Sequence, residues 1–372
     1  MNSIQPQDGA LGRLEPATRW AVLVLASLVL GGLLEQMRLP AALLLGPLVA
    51  AVLMQTAGAP VRVPRIAMLA AQAVIGCLVA RAMTPAILAG FSHHWLLFVS
   101  VILLSVSASA LIGWAISFFR IIPGSTAVWG MLPGGATVMM VMAEAHGADF
   151  RLVAFMQYLR VVMVAAAASV VAVMFVHGGG SPVAAGLLSP VDWKDFAATV
   201  VVAVVGGWLG LAMRIPAGVL LGPLAIGATL VIQGWIRIEL PPLVLIASYA
   251  LIGWSTGLGF TREILATAMR ALPQCLGAIL LLMATCGALA WFLVIALHID
   301  PLTAYLATSP GGVDAAAIIA AGTKVDMSFV MALQVLRIVV LLVIGPRVAR
   351  WVTGTLDTKQ RTADEPTSSP PQ

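Results

Sequence analysis

Ten apolar runs restrict the folds open to this chain more than any other feature of its sequence. They fall at about 17–37, 41–57, 66–83, 93–118 and 151–176, and again at about 192–212, 217–234, 242–260, 271–297 and 327–350. Only 9% of the 372 residues are charged, against about 25% in a soluble globular protein. Because a helix of roughly 20 apolar residues spans a bilayer, the sequence predicts an all-α, polytopic membrane helical bundle.

The two sets of runs carry the same motifs. LPGGATVMM, which begins the segment 132–160, has its counterpart SPGGVDAAA in the segment 309–337, at an offset of 177 residues. RLPAALLLGPL at 38–48 returns as RIPAGVLLGPL at 214–224, with eight identities in eleven positions. We therefore predict a tandem duplication. The predicted parts are a cytoplasmic N-terminal segment (1–16), two membrane repeats (17–176 and 192–350), a linker (177–191) and a disordered cytoplasmic tail (351–372).

Positive charge distinguishes two topologies for the repeats. Arg160 and Arg337 lie deep inside apolar runs, and the other eighteen of the 20 Lys and Arg residues lie near the ends of runs or between them. If each Pro-Gly-Gly segment crosses the membrane, the halves are parallel and the eighteen divide 11 to 7 in favour of the cytoplasm. If each segment enters and leaves on one side, the halves are inverted, with five crossings each, and the division is 13 to 5. Cytoplasmic loops are enriched in Lys and Arg, so the charges favour inverted repeats; both topologies place the two termini in the cytoplasm.

The Pro-Gly-Gly triplets are the strongest candidates for a binding site. A proline followed by two glycines interrupts a helix, and irregular backbone at membrane depth is tolerated only inside protein or beside a watery cavity. Interrupted segments at matching positions of two inverted halves indicate a transporter binding site. We predict re-entrant segments whose second helices aim their N-terminal amides at the solute. The predicted binding residues here are Pro133, Gly134, Gly135, Pro310, Gly311 and Gly312.

A polar stripe follows each triplet. Asp149, Gln157 and Arg160 recur at i, i+8 and i+11, which brings the last residue to within about 20° of the first around a helix. Because a mid-membrane arginine costs at least about 2.5–3.5 kcal/mol, it should face the protein interior beside a partner. We predict that the amides and guanidinium groups bind solute and that the acidic residues serve ion coupling or gating. The two sets are Gln157, Arg160, Gln334 and Arg337 for solute, and Glu144, Asp149, Asp314 and Asp326 for coupling or gating.

Structural alternatives exist for the same residues. The arginines would also be explained by pairing with Glu144, Asp314 or Asp326 and so locking the halves together. N-capping alone would explain the aspartates that precede each helix. Glu144 and Asp314 have no acidic counterpart in the other half, which fits either a single coupling site or sequence drift. The Gly-Pro pairs at 46–47 and 222–223 are second helix interruptions that a packing kink explains as well as a site does.

Other classes of chemistry find little basis in the sequence. The five histidines include no i, i+4 pair, so we expect no metal site, no cofactor and no enzyme activity. The three cysteines lie in apolar runs without CxxC spacing and are predicted to pack as small hydrophobes. No GxxxxGK[ST] motif is present, which disfavours direct use of ATP. The dispersed basic residues disfavour direct contact with nucleic acid.

The two Gly-Pro-Leu motifs and the two PGG…D…Q..R blocks resemble those of the bacterial inner-membrane AbrB family, defined by the membrane AbrB duplication. The resemblance covers nearly all of 17–351. It implies a multi-pass protein of the cell inner membrane, and the family's labels imply either a regulator of gene expression or an ammonia monooxygenase. From the residues we expect instead an ion-coupled secondary transporter of a small anionic or zwitterionic solute, driven by H+ or Na+. A membrane-embedded regulator and a membrane monooxygenase remain the alternatives, and homo-oligomerisation stays open.

Overall fold

The computed structural model describes residues 15–37, 39, 42–59, 61–83, 85–122, 125–132, 136–175, 191–214, 217–323, 325–338 and 340, and these residues form helices and connections without a strand. The all-α prediction is confirmed. In the first half the helices are α1 (Pro16–Gln36), α2 (Ala42–Thr56), α3 (Arg65–Ala82), α4 (Pro85–Phe118), α5 (Thr126–Met131), α6 (Ala136–Ala145) and α7 (Phe150–Phe175). In the second half they are α8 (Trp193–Ala212), α9 (Gly218–Ile232), α10 (Pro242–Gly257), α11 (Arg262–Ala268), α12 (Leu272–Leu297), α13 (Pro301–Thr308), α14 (Val313–Ala321) and α15 (Met327–Ile338).

Every apolar run of the sequence coincides with one of these helices. Within the described part, six helical segments are long and apolar enough to cross a membrane: α1, α3, α4 from Trp95, α7, α8 and the continuous stretch Arg262–Leu297. Four shorter apolar helices, α2, α9, α10 and α15, accompany them. The chain is thus a helical membrane protein. The number of crossings and the domain division stay predictions, and the linker (177–191) and the tail (351–372) lie largely or wholly outside the described residues.

Small residues allow helices from the two halves to pack closely. A Cβ on Gly253 in α10 would lie 2.7 Å from the carbonyl oxygen of Leu44 in α2. A Cβ on Gly76 in α3 would collide with the carbonyl oxygen of Leu220 in α9. Glycine at such contacts lets helix backbones approach within a membrane. The Gly-Pro interruptions of α2 and α9 therefore lie at helix contacts, where Pro47 also borders Gly253, and packing accounts for them.

Helices α2 and α10 run in the same direction and end together. Gly253 lies against Leu44, and one turn later Gly257 lies against Ala51. Beyond the two helix ends, Nε of Arg262 donates to the carbonyl oxygen of Thr56 at 2.7 Å. We name this end of the bundle the Arg151 face, because α7 also starts here. Its residues are Thr56, Arg151, Arg262 and Glu263, the ion pair between Arg151 and Glu263 measuring 2.5 Å.

Helix α3 ends at the face opposite the Arg151 face. Near its end the thiol of Cys77 donates to the carbonyl oxygen of Thr199, and the Thr199 hydroxyl accepts from the backbone N–H of Glu239 at 3.0 Å, shortly before α10 begins. Because α10 has 16 residues, is about 24 Å long and ends at the Arg151 face, the end of α3 lies at the other face. There the Ser328 hydroxyl donates to the carbonyl oxygen of Ala82. We name this end, defined by Ala82 and Ser328, the Ser328 face.

Candidate functional site

The segment 126–149, here the first hairpin, starts and ends at one level of the bundle. The backbone N–H of Asp149 donates to the hydroxyl of Thr126 at 3.2 Å. Eight residues further along α7, Nε2 of Gln157 donates to the carbonyl oxygens of Trp129 at 3.2 Å and Leu132 at 2.9 Å. Helix α5 therefore runs beside α7 in the same direction, and the chain must reverse between Leu132 and Asp149. Because α7 starts at the Arg151 face, the first hairpin opens there.

The segment 303–326, here the second hairpin, repeats these bonds in the other half. The backbone N–H of Asp326 donates to the hydroxyl of Thr303 at 3.3 Å. Nε2 of Gln334 donates to the carbonyl oxygens of Leu306 at 2.7 Å and Ser309 at 3.3 Å. Each of these residues lies 177 positions after its counterpart. The second hairpin opens at the Ser328 face, where α15 starts.

The glutamines explain why the short helices stop where they do. The last carbonyl oxygens of a helix have no partner within it, and each buried glutamine supplies donors to the end of α5 or α13. Gln157 is 2% exposed and Gln334 is fully buried. Such carbonyls must be satisfied inside the protein when no water is near. Each glutamine therefore holds a helix end at mid-depth beside its neighbouring long helix.

The two Pro-Gly-Gly triplets differ in how far the structure describes them. Pro133, Gly134 and Gly135 lie outside the described residues. Pro310 and Gly311 are buried, and Gly312 precedes the first residue of α14 in an extended conformation. A Cβ on Gly311 would lie 2.8 Å from Cγ1 of Val164, whereas one on Gly312 would have no atom of the described residues within 4 Å. The tip of the second hairpin thus contacts α7 on one side and borders open space on the other.

Arg160 and Arg337 lie at the tips of the hairpins. Arg160 is 4% exposed and donates to the carbonyl oxygen of Met131 at 3.1 Å and to Oε1 of Gln157 at 2.6 Å. Arg337 is 5% exposed and donates to the carbonyl oxygens of Ser309 and Gly311, the latter at 2.7 Å. The Nε atom of each arginine is buried and has no hydrogen-bond partner among the described residues. Both side chains therefore keep a free N–H donor.

No described carboxylate neutralises either arginine. Across the described residues, neither Arg160 nor Arg337 has a carboxylate oxygen within the 4.0 Å of an ion pair. Val164, one turn after Arg160 on α7, borders Gly311, whose carbonyl oxygen accepts from Arg337. Cys286 lies beside Thr308, next in the chain to Ser309, whose carbonyl oxygen also accepts from Arg337. The halves of the chain thus contribute one cation each to a common buried region. The pairing with Glu144, Asp314 or Asp326 that the sequence left open does not occur here.

Three of the four acidic candidates lie elsewhere. Glu144, Asp149 and Asp326 are exposed. Asp149 and Asp326 accept backbone N–H groups from the helices that follow them, at 2.9 Å and 3.0 Å at the closest, and so act as N-caps. Asp314 is partly buried in the first turn of α14. The structure brings the arginines, the glutamines and the second triplet together, and it does not bring Glu144, Asp149 or Asp326 to them.

Sequence reasoning missed Cys286 as part of this region. Its carbonyl oxygen accepts from the hydroxyl of Thr308 at 3.1 Å, at the end of α13. The sequence offered one signal, because the offset of 177 pairs Cys286 with Ser109, another small polar residue in an apolar run. Elsewhere in the described residues, no group of three or more His, Cys, Asp or Glu side chains is arranged to hold a metal ion.

A hairpin in each half and a buried arginine at each tip define a polytopic helical membrane protein built around a cationic centre. The family model described as "Transition state regulatory protein AbrB" matches residues 43–353, and the chain belongs to this AbrB family. It is also 43% identical over 340 residues to the Escherichia coli (strain K12) protein named "Putative regulator AbrB", covering 91% of this chain and 97% of that protein. No solved structure matches. The family resemblance predicted from the motifs is confirmed.

Proposed function

We propose that the protein is an ion-coupled secondary transporter of a small anionic solute in the bacterial inner membrane. The observation that carries this proposal is the pair of buried arginines, Arg160 and Arg337. They occupy matching positions on α7 and α15, beside the tips of the two hairpins, and have no carboxylate counter-ion among the described residues. Unpaired buried charge is unfavourable, so such a centre favours an anionic ligand. Intramembrane ionisable residues are typical of transport pathways.

The arrangement of the hairpins supports alternating access. The first hairpin opens at the Arg151 face and the second at the Ser328 face, which is the relation expected of inverted repeats. We assign the Arg151 face and both termini to the cytoplasm, because with inverted repeats 13 Lys and Arg residues then lie on the cytoplasmic side and 5 on the other. In our proposal the solute binds between the hairpin tips, and rocking of one half against the other opens one face at a time.

Two further groups fit this cycle. The Arg151–Glu263 ion pair, 2.5 Å long, joins the start of α7 to the start of α11 on the cytoplasmic side, and we assign it to the gate there. Asp314 on the second hairpin has no acidic counterpart in the first, where Thr137 stands at its position. We assign Asp314 the role of carrying the coupling H+ or Na+.

Uptake into reconstituted vesicles tests the proposal. Radiolabelled succinate, sulfate, acetate and glutamate are offered to vesicles under an inward H+ or Na+ gradient. We expect Arg160→Ala and Arg337→Ala each to lower uptake at least about tenfold, since a hydrogen bond to a charged group contributes about 1.5–3 kcal/mol. Arg270→Ala is the matched control, because Arg270 is exposed. Uptake of none of these anions, or unchanged uptake in the double arginine variant, contradicts the proposal.

A second candidate function is regulation of gene expression through a partner, which the name of the Escherichia coli relative favours. The tail at 351–372 is the polar segment available to a cytoplasmic partner. Deleting it should leave uptake unchanged in a transporter and abolish the effect of a regulator that signals through its tail.

Metal analysis of the purified protein tests the monooxygenase alternative, which requires stoichiometric copper or iron.

A further inference from the structure

The cationic centre carries more positive charge than one monovalent anion neutralises. Arg160 and Arg337 belong to different halves, yet Val164, one turn after Arg160 on α7, borders Gly311, whose carbonyl oxygen accepts from Arg337. Arginine stays protonated in proteins, and among the described residues no carboxylate lies within ion-pair distance of either one. The hydrogen bonds that hold them go to carbonyl oxygens and one amide oxygen. These acceptors fix the side chains without removing their charge.

We infer that this centre binds a compact anion with two negative charges, either a dicarboxylate or a divalent inorganic oxyanion, between Arg160 and Arg337. The inference rests on the proposed function and narrows its substrate class. A monovalent anion leaves one buried cation uncompensated, which a low-dielectric site disfavours. A zwitterion brings an ammonium group next to two cations, while Glu144, Asp149 and Asp326 are exposed and outside the centre. Asp314, in the first turn of α14, is the acidic residue nearest to the proposed site, and the coupling ion assigned to it above neutralises its charge.

The free donors match a ligand with an anionic oxygen at each end. Nε of Arg160 and Nε of Arg337 are both buried and unpartnered, so each half of the chain offers one N–H to a different oxygen of the ligand. Charge-assisted hydrogen bonds of this kind are the strong ones. A monocarboxylate brings one negative charge to these two donors, whereas a dianion brings two.

Space for the ligand exists beside Arg337. The guanidinium group of Arg337 is held at the tip of the second hairpin by the carbonyl oxygen of Gly311, and the neighbouring Gly312 borders open space. Helix α14, nine residues long, starts at this point without a side-chain cap on its first N–H groups. Helix N-termini favour anions. One end of the dianion therefore lies at Gly312 and Arg337, and the other is directed toward Arg160.

Cys286 provides a native reporter of occupancy, because it is buried and lies beside Thr308, next to Ser309, whose carbonyl oxygen accepts from Arg337. Replacing Cys77 and Cys275 by alanine leaves Cys286 as the single thiol. The measured quantity is the rate at which this thiol reacts with an anionic and with a cationic methanethiosulfonate. We expect the anionic reagent to react faster. We expect sulfate, malonate or succinate to slow it at least about tenfold at concentrations where acetate, nitrate and alanine do not.

Variants that remove one positive charge distinguish binding of a dianion by the two arginines from a purely structural role of these side chains. In Arg337→Gln or Arg160→Gln one positive charge remains, so we expect acetate or nitrate to protect Cys286 better than the divalent anions do. Thermal stabilisation of the purified protein by the same anions gives a second measurement if the thiol proves unreactive. Protection by sulfate alone identifies an inorganic oxyanion, and protection by malonate or succinate alone identifies a dicarboxylate.

These experiments distinguish failure of the dianion inference from failure of the proposed transport function. Equal protection by mono- and divalent anions in both the parent and Arg337→Gln overturns the inference, and arginine-dependent uptake of a monovalent anion would then leave the proposed function standing. No protection or stabilisation by any anion, together with no uptake, overturns both.

Discussion

Asp149 and Asp326 can be explained in two ways from the sequence, as ion-coupling groups or as N-caps of the helices that follow them. Both stand ahead of a polar helix face that leads to a buried arginine, which suggested ion coupling. In the structure both side chains accept N–H groups from the first turn of the next helix and are exposed. Their backbone N–H groups also close the hairpins on Thr126 and Thr303. We therefore interpret these aspartates as N-caps.

Serine and alanine substitutions distinguish a cap from a coupling group. Serine caps a helix about as well as aspartate but carries no charge, so Asp149→Ser and Asp326→Ser should keep both stability and ion-coupled uptake. Asp149→Ala and Asp326→Ala should each cost about 0.5–2 kcal/mol of stability. Thermal unfolding in detergent and gradient-driven uptake in vesicles measure the two properties. Uptake that loses its dependence on the ion gradient in the serine variants would reassign these residues to coupling.

At the scale of the helices, close contacts through glycine join the two halves. Gly76 of α3 and Gly253 of α10 stand 177 residues apart and each lies against the Gly-Pro-Leu helix of the other half. In both contacts the two nearest atoms belong to backbone, which cannot move aside as a flexible side chain does. The helix pairs α2–α10 and α3–α9 thus depend on the absence of a side chain at two positions.

Adding one methyl group tests this dependence. The Cβ of Gly253→Ala would lie 2.7 Å from the Leu44 carbonyl oxygen, so we expect a loss of about 1–3 kcal/mol from overpacking. The matched control is Gly277→Ala in α12, which has no atom within 4 Å of the new Cβ and should be neutral or slightly stabilising. Midpoints of thermal unfolding in detergent compare the two variants. Equal midpoints would show that the contact is looser than described.

Repetition made the elements and the polar stripe predictable, but not their partners. The offset of 177 identified Gln157 with Gln334 and Arg160 with Arg337, and helical periodicity placed each pair on one face. Periodicity cannot say what lies opposite that face. The acceptors proved to be main-chain carbonyl oxygens, such as that of Leu132, which leave no trace in the side-chain pattern. For the same reason the sequence left a carboxylate partner open for the arginines.

At the scale of the molecule, the relative orientation of the two repeats, inverted or parallel, decides how the halves cooperate. Arg120 and His298 follow α4 and α12, precede the two hairpins and are both exposed. Inverted repeats place them on opposite sides of the membrane, whereas parallel repeats place them on the same side. Glu144, exposed at the end of the first hairpin, reports whether that hairpin returns to the side of Arg120 or crosses.

Single cysteines at these three positions, in a protein whose native cysteines are replaced by alanine, measure the answer directly. A membrane-impermeant maleimide is applied to right-side-out and to inverted vesicles, and permeabilised vesicles control for reactivity. We expect Arg120→Cys and Glu144→Cys to react from the cytoplasmic side and His298→Cys to react from the opposite side. The physical reason is that Thr126 and Asp149 are joined by a 3.2 Å hydrogen bond, which keeps both ends of the first hairpin at one face. Labelling of Arg120→Cys and His298→Cys from the same side would make the repeats parallel. The two arginines would then have to meet without a two-fold axis in the membrane plane, and alternating access by rocking of inverted halves would have to be abandoned.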